Sequence, residues 1–318
     1  MSDHVRFHER QSTLFNNILT RSRCLELLRE FFRLRGFVEV ETPIVCTSPG
    51  VETHLAAMPT TVMNQTMYLT TSPEFHMKRL TAVGFDRIFQ LTRAFRDGER
   101  GDRHNPEFSM VEWYRRGCDY STIMDDCEAL LRHIAHGISG QLEFPAVRGG
   151  RGPISLDKPF RRVTMEQAFA EIGQPSPFDL TLEERDRIAV DFLDDHLGKH
   201  DPEFLTEYPA DQASLARKKE SDPRVAERFE LYCGGLELAN GFSELADADE
   251  YLERCRIDLA ERDRLGLPRY PIDERYVSML RDGLPVCAGT ALGFDRVVML
   301  ACGAASIHDV IAFPYDQA

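Results

Sequence analysis

Apolar side chains recur every three or four positions between residues 12 and 35, at Leu14, Ile18, Leu25, Leu28 and Phe32. That period fits one face of a helix, and Gly36 stands where a left-handed C-cap would end it. The pattern then changes to alternation. In "FVEVETPIV", Val38 and Val40 interleave with Glu39 and Glu41, which predicts a half-buried strand stopped by Pro43. "TMYLTTSPEFHMKRL" predicts a strand and then a helix, with Ser72 as its cap and Pro73 in its first turn. Two strand-like runs, 87–96 and 107–116, flank a charged loop and predict a long-looped antiparallel hairpin. Helical periods return at 121–139, 164–172 and 181–197, where Thr164 with Gln167 and Thr181 with Glu184 have capping-box spacing. "GQPSPFD" and the polar run 198–223 are the loosest parts. Residues 225–245 and 286–293 predict more strands, and 248–265 and 294–302 more helices. Strands paired as hairpins with helices between them predict an α+β fold, an antiparallel sheet flanked by helices, in one domain over residues 1–318.

Composition narrows the class. The chain has 318 residues and 42% hydrophobic content, enough for a sizeable core. No window approaches about 18 uninterrupted apolar residues, so no membrane span is predicted. The N-terminal "MSDHVRFHERQ" lacks the apolar stretch of a signal peptide, and a cytoplasmic protein is expected. Eight cysteines are scattered without C-x-x-C spacing, which weakens zinc and redox readings and predicts reduced, mostly buried thiols. The net charge of −14 argues against a large nucleic-acid footprint, because binding phosphates requires a basic face.

Three segments carry candidate chemistry. In the strand 107–116, Phe108, Met110, Glu112 and Tyr114 share one face, and Glu107, Val111 and Trp113 the other. The first face is either a partly buried polar network or a ligand floor, with Phe108 for a flat ring and Glu112 and Tyr114 for a cation. Arg96 ends the partner strand, where its fork could reach a phosphate. In "FELYCGGLELANGFSEL", Glu230, Glu237 and Glu244 fall seven apart with Asn240 between the last two. The glycines make strands and a turn fit better than a helix, and inward carboxylates need magnesium or an ammonium group. In "AGTALGFDRVVML", small residues lead into Arg296 at the start of an apolar helix, so a ligand could lie close to backbone.

Together these segments resemble the class II aminoacyl-tRNA synthetases. "GFVEVETPIV" resembles motif 1, "FRDGERGDRHNPEF" motif 2 and "GTALGFDR" motif 3. "TSPEFHMKRL", "RHNPEFSMVEWY" and "FELYCGGLELANGFSEL" resemble lysyl-type blocks, so the likeness runs from about residue 10 to the end. With no anticodon-binding OB domain ahead of motif 1, the chain is similar to the truncated paralogues that attach β-lysine to elongation factor P. Glu112-Trp113, "ELANGFSEL" and Ala291 resemble that group too; lysyl-tRNA synthetases usually have glycine where Ala291 stands.

The resemblance implies an ATP-dependent ligase that activates (R)-β-lysine and passes it to a lysine of elongation factor P. It implies a homodimer, with no stable tRNA binding. A synthetase acting on tRNA or another amine acceptor, or a non-catalytic regulatory paralogue, are the alternatives. It implies that Arg96, Glu237 and Arg296 carry the chemistry. ATP would meet Arg96, Asp97, Gly98, His104, Asn105, Phe108, Glu237, Leu238, Gly293 and Arg296, with adenine between Phe108 and Arg296. Glu230 and Glu237 would hold Mg2+. Ser72, Pro73, Glu74, Glu112, Tyr114, Asn240, Glu244 and Ala291 would line the amino-acid pocket. The chain departs from the family at Gly98, where motif 2 usually has glutamate; Glu99 or Asp97 would substitute, or that contact is lost.

Overall fold

The structure, a computed structural model, describes residues 3–147, 152–193 and 196–318. Among the described residues fourteen strands follow in chain order. They are β1 (Val38–Glu39), β2 (Val45–Cys46), β3 (Pro59–Val62), β4 (Gln65–Leu69), β5 (Arg87–Phe95), β6 (Glu107–Arg116) and β7 (Glu143–Phe144), then β8 (Ile154–Ser155), β9 (Arg161–Thr164), β10 (Glu203–Pro209), β11 (Lys218–Lys219), β12 (Asp222–Cys233), β13 (Leu236–Ser243) and β14 (Cys287–Gly293). Helices α1 (Asp3–Leu34), α2 (Glu74–Val83), α3 (Tyr120–Ser139), α4 (Met165–Glu171), α5 (Leu182–Ile188), α6 (Ala248–Arg264), α7 (Glu274–Gly283) and α8 (Phe294–Cys302) interleave with them.

The main sheet has the order β1-β5-β6-β14-β13-β12-β10-β9, with β11 also on β12. From β5 to β10 every pairing is antiparallel. The edge strands β1 and β9 run parallel to their neighbours, so the expected antiparallel sheet is closed on both sides by a parallel pair.

One face of the sheet is covered by α1, α3 and α8. Helix α1 buries Cys24, Leu27, Leu28, Phe31 and Phe32 at helical spacing. Phe32 stacks on Phe89 at 4.4 Å and meets Trp113 at 5.3 Å. Helix α3 starts at Asp119, whose carboxylate accepts from the Ser121 and Thr122 amides, and stops at the left-handed Gly140. Both expected capping boxes, Thr164 with Gln167 and Thr181 with Glu184, are formed. None of the eight cysteines, all among the described residues, forms a disulfide, and six of them are buried.

Four local expectations change. "FVEVE" pairs over two residues only, and Val38 stays 48% exposed because this strand lies at the sheet edge. Ser72 sits one residue before the cap of α2, which is Pro73, although Ser72 Oγ still accepts from the Glu74 amide at 3.1 Å. The helix expected over 181–197 is α helix only to Ile188 and then a π turn, Ala189–Leu193; residues 194 and 195 lie outside the described residues. The polar run 198–223 contains β10, a buried sheet strand. A bulge between Thr206 and Tyr208, with Glu207 at φ 57, breaks the two-residue period of its apolar positions.

Candidate active site

The other face of the sheet is open. Val111 and Trp113 of β6 enter the core, while Phe108, Met110, Glu112 and Tyr114 line a cavity of about 440 Å³. Cross-strand register decides what stands beside them. Gln90, Glu112, Ala291, Asn240 and Glu230 form one row across β5, β6, β14, β13 and β12. The next row is Ile88, Tyr114, Gly289, Phe242 and Arg228. A Cβ on Gly289 would come within 2.3 Å of the Tyr114 ring, so glycine is what lets that ring lie flat on β14. Ala291 thus stands between Glu112 and Asn240.

At one end the cavity is acidic. Tyr114 donates its hydroxyl to Glu112 Oε2 at 3.0 Å, and Ser72 donates to the other oxygen. Glu112 is 1% exposed, and burial followed by the Glu74 charge pushes its carboxyl up to about 8. Behind it Lys78, fully buried on α2, donates to Glu74 Oε1 at 2.5 Å and pairs with Glu244. Its ammonium also faces the Phe242 ring at 4.9 Å. Burial alone would lower Lys78, but the charges of Glu244 and Glu74 reverse this and hold it protonated. Burial raises Glu244, with Lys78 opposing. Glu52 lines the same end. Four carboxyl groups, of Glu52, Glu74, Glu112 and Glu244, thus gather at this end, and its one lysine pairs directly with Glu74 and Glu244.

The other end is cationic, with Arg96, Arg103, Arg228 and Arg296. Arg96 lies 5.2 Å over the Phe108 ring and 3.5 Å from Glu99, and its buried Nε has no hydrogen-bond partner among the described residues. Arg296 follows Asp295, which anchors the first turn of α8: Asp295 pairs with Arg21 at 2.6 Å and accepts from the Ser109 amide at 2.7 Å. Arg296 donates to the Glu237 carbonyl at 2.5 Å and to His104 Nε2 at 2.8 Å. A guanidinium only donates, so Nε2 accepts and His104 is neutral. Burial, then the Arg296 charge, lowers its pKa accordingly.

Glu230 and Glu237 sit at this end. Glu230 is held by Arg228 at 2.6 Å, Tyr232 at 2.8 Å and Asn240 at 3.2 Å. Glu237 keeps 41% of its side chain exposed at the cavity mouth, and partial desolvation within the cavity, followed by the Glu230 charge, raises its carboxyl. Two carboxylates that repel one another suit a cation that takes its remaining ligands from phosphate and water, as Mg2+ does. No group of three or more metal-ligating side chains occurs among the described residues.

Of the residues nominated from sequence, the cavity gathers Ser72, Glu74, Arg96, His104, Asn105, Phe108, Glu112 and Tyr114, and also Glu230, Glu237, Leu238, Asn240, Glu244, Ala291, Gly293 and Arg296. Pro73, Asp97 and Gly98 are not in its lining. Pro73 caps α2, and Gly98 turns the loop at φ 78; Glu99, next along, does face the cavity. The Asn105 amide is taken up by the Glu107 carbonyl at 2.6 Å and the Tyr315 amide at 3.0 Å. Sequence reasoning missed Lys78, Arg228 and Glu52. Lys78 was readable, four residues after Glu74 on one helix face, and Arg228 shares strand parity with Glu230. Glu52 lies in an irregular segment with no period to read.

The family described as tRNA synthetases class II (D, K and N) matches residues 3–317. Similar curated proteins are elongation factor P–(R)-β-lysine ligases from Yersinia enterocolitica serotype O:8 / biotype 1B and from Salmonella gallinarum. Each is 42% identical over 317 residues, covering 95% of this chain and 96% of the relative. The same name, identity and coverage recur in Salmonella paratyphi B. With its motifs gathered around one cavity, the chain belongs to the class II tRNA synthetase family, in the group whose curated members are elongation factor P–(R)-β-lysine ligases.

Proposed function

We propose that this chain is an ATP-dependent ligase that activates (R)-β-lysine as an aminoacyl-adenylate and transfers it to a lysine side chain of elongation factor P. The observation that carries the reading is the charge imbalance of the acidic end. Four carboxyl groups gather there, of which Glu74 and Glu244 pair with the one lysine, and a substrate with two ammonium groups supplies the missing charge. The chain's similarity to ligases of that name supports the same substrate and acceptor.

The geometry supports a two-step course. The substrate carboxylate attacks the α-phosphorus of ATP, the bond to the bridging oxygen breaks, and pyrophosphate leaves. Arg96 and Arg296 would stabilise charge on the phosphoryl oxygens and the leaving group. Phe108 offers a face for adenine, and neutral His104 adds no charge beside the triphosphate. Glu230 and Glu237 would hold Mg2+, which when bound neutralises phosphate charge. An acceptor amine then attacks the carbonyl carbon of the anhydride, an amide bond forms, and AMP leaves. No protein nucleophile is required.

The test is pyrophosphate exchange with (R)-β-lysine, α-lysine and other amino acids, followed by transfer to purified elongation factor P or to tRNA. Exchange that favours (R)-β-lysine, with label ending on elongation factor P, is expected. Transfer to tRNA alone, or no exchange with any dibasic amino acid, would overturn the reading.

A further inference from the structure

The segment 48–57 has little regular structure, yet it is firmly held. Arg262 of α6 is buried and donates to the carbonyls of Glu52 at 2.9 Å, Thr53 at 3.3 Å and Leu55 at 3.1 Å. Thr53 donates to Asp258 at 3.0 Å, and the Ala57 amide donates to the Tyr270 hydroxyl at 2.9 Å. The Ala56 carbonyl accepts from the Asp97 amide at 2.8 Å, which lays the segment beside Arg96.

This fixed backbone presents a carboxylate with no ion-pair partner among the described residues. Glu52 lines the cavity, and its Oε2 is shielded from solvent without a hydrogen-bond partner among the described residues. The carboxylate folds back over Gly50, at φ 98, where a Cβ would stand 2.4 Å from that oxygen. Burial, and then the charge of Glu74, raise the Glu52 carboxyl to about 7; its own backbone amide and, less, Lys78 oppose this, and Asp258 adds to it. Holding a desolvated carboxylate beside another is costly unless a cation joins them.

We propose that Glu52, with Glu74, receives the ammonium group nearer the reacting carboxylate of the dibasic substrate. The assignment rests on the ligase reading above. It follows from position: the Glu52 segment borders Arg96, where the carboxylate must meet the α-phosphate, whereas Glu244 lies deep against Lys78. The far ammonium is left to Glu112 and Glu244. Glu52 is thus a substrate-binding residue supplied by a loop outside the sheet.

The experiment compares wild type with Glu52→Gln. KM for (R)-β-lysine in pyrophosphate exchange should rise about thirtyfold, the typical effect of truncating one partner of a desolvated charge pair. KM for ATP should not move. As competitors, 3-aminohexanoate (near amine only) should lose affinity in the variant, and 6-aminohexanoate (far amine only) should not. The ligand-free melting temperature should be equal or higher, because an unbalanced charge is removed. An unchanged KM for (R)-β-lysine, equal losses for both competitors, or a variant that melts earlier or fails to fold would each overturn the assignment. Absence of (R)-β-lysine exchange in the wild type would instead show that the ligase reading itself had failed.

Discussion

Arg96 and Glu112 sit at opposite ends of the cavity and make opposite demands on it. Arg96 packs over Phe108 and leaves its buried Nε without a partner among the described residues, an arrangement suited to an incoming phosphate. Arg96→Ala should fold normally yet lose adenylate formation by about 3–4 kcal/mol, roughly a hundred- to a thousandfold, as when one preorganised donor is removed. Pyrophosphate exchange on a variant with native melting behaviour checks this, and near-normal exchange would remove Arg96 from the proposed role. Glu112 shows its strain in pH dependence. Its carboxyl is raised to about 8 in the folded chain. A raised acid binds its proton more tightly folded than unfolded. It therefore adds stability that is complete below its unfolded value of about 4.3 and is lost as pH climbs through the folded one. The ligand-free protein should lose stability from mildly acid pH up to about 8, and Glu112→Gln should flatten part of that slope. Denaturant midpoints across this range read the effect; parallel slopes for the two proteins would count against it.

At the scale of elements, the sheet register does most of the work. Ala291 is placed between Glu112 and Asn240 because β14 pairs with β6 on one side and β13 on the other. Its methyl therefore lies in the same row as the carboxylate and amide that would read the substrate. α-Lysine and β-lysine differ by one carbon in where an amine stands, and a methylene-sized change in a pocket is typically worth about 1–3 kcal/mol. The native chain should prefer β-lysine, and Ala291→Gly should narrow or reverse that preference. The ratio of kcat/KM for the two isomers, before and after the change, decides it; an unmoved ratio would make Ala291 a packing residue. Elements with a clean period were legible beforehand: α1, α3, the β5–β6 hairpin, and the strands around Glu230 and Glu237. Strand β10 was not, because its bulge at Glu207 shifts the alternation midway. For the edge strand β1 the strand was legible but not its exposure, because alternating valines do not enforce burial without a neighbour on both sides.

At the scale of the whole molecule, α1 leaves Phe15 and Leu19 one turn apart at 65% and 55% exposure, and exposed Val38 and Ile44 follow in the motif 1 segment. An exposed apolar stripe of this kind suits a self-complementary contact with a second copy. Sedimentation at micromolar concentration should give about twice the 36.3 kDa chain mass, and charged substitutions at Phe15 and Leu19 should halve it. A native chain sedimenting as a monomer would refute the homodimer. No helix among the described residues is long and apolar enough to cross a membrane.

The amino-acid sequence by itself determined the α+β class, the hairpins and most of the residues gathered at the cavity, because helical and strand periods and strand parity are local properties of the chain. The synthetase motifs were likewise local strings. Tertiary structure alone decided which charges meet. Lys78 and Glu74 are one turn apart on α2, a pairing local to the chain, and only the packing of α2 on β6, with Glu244 brought alongside, buries that pair and gives Lys78 its second partner. Glu52 is a loop residue in sequence, and only Arg262, from 210 positions away, fixes its backbone against the acidic end. Burial and charge balance depend on what surrounds a side chain in space, and that information is not carried by any stretch of neighbouring residues.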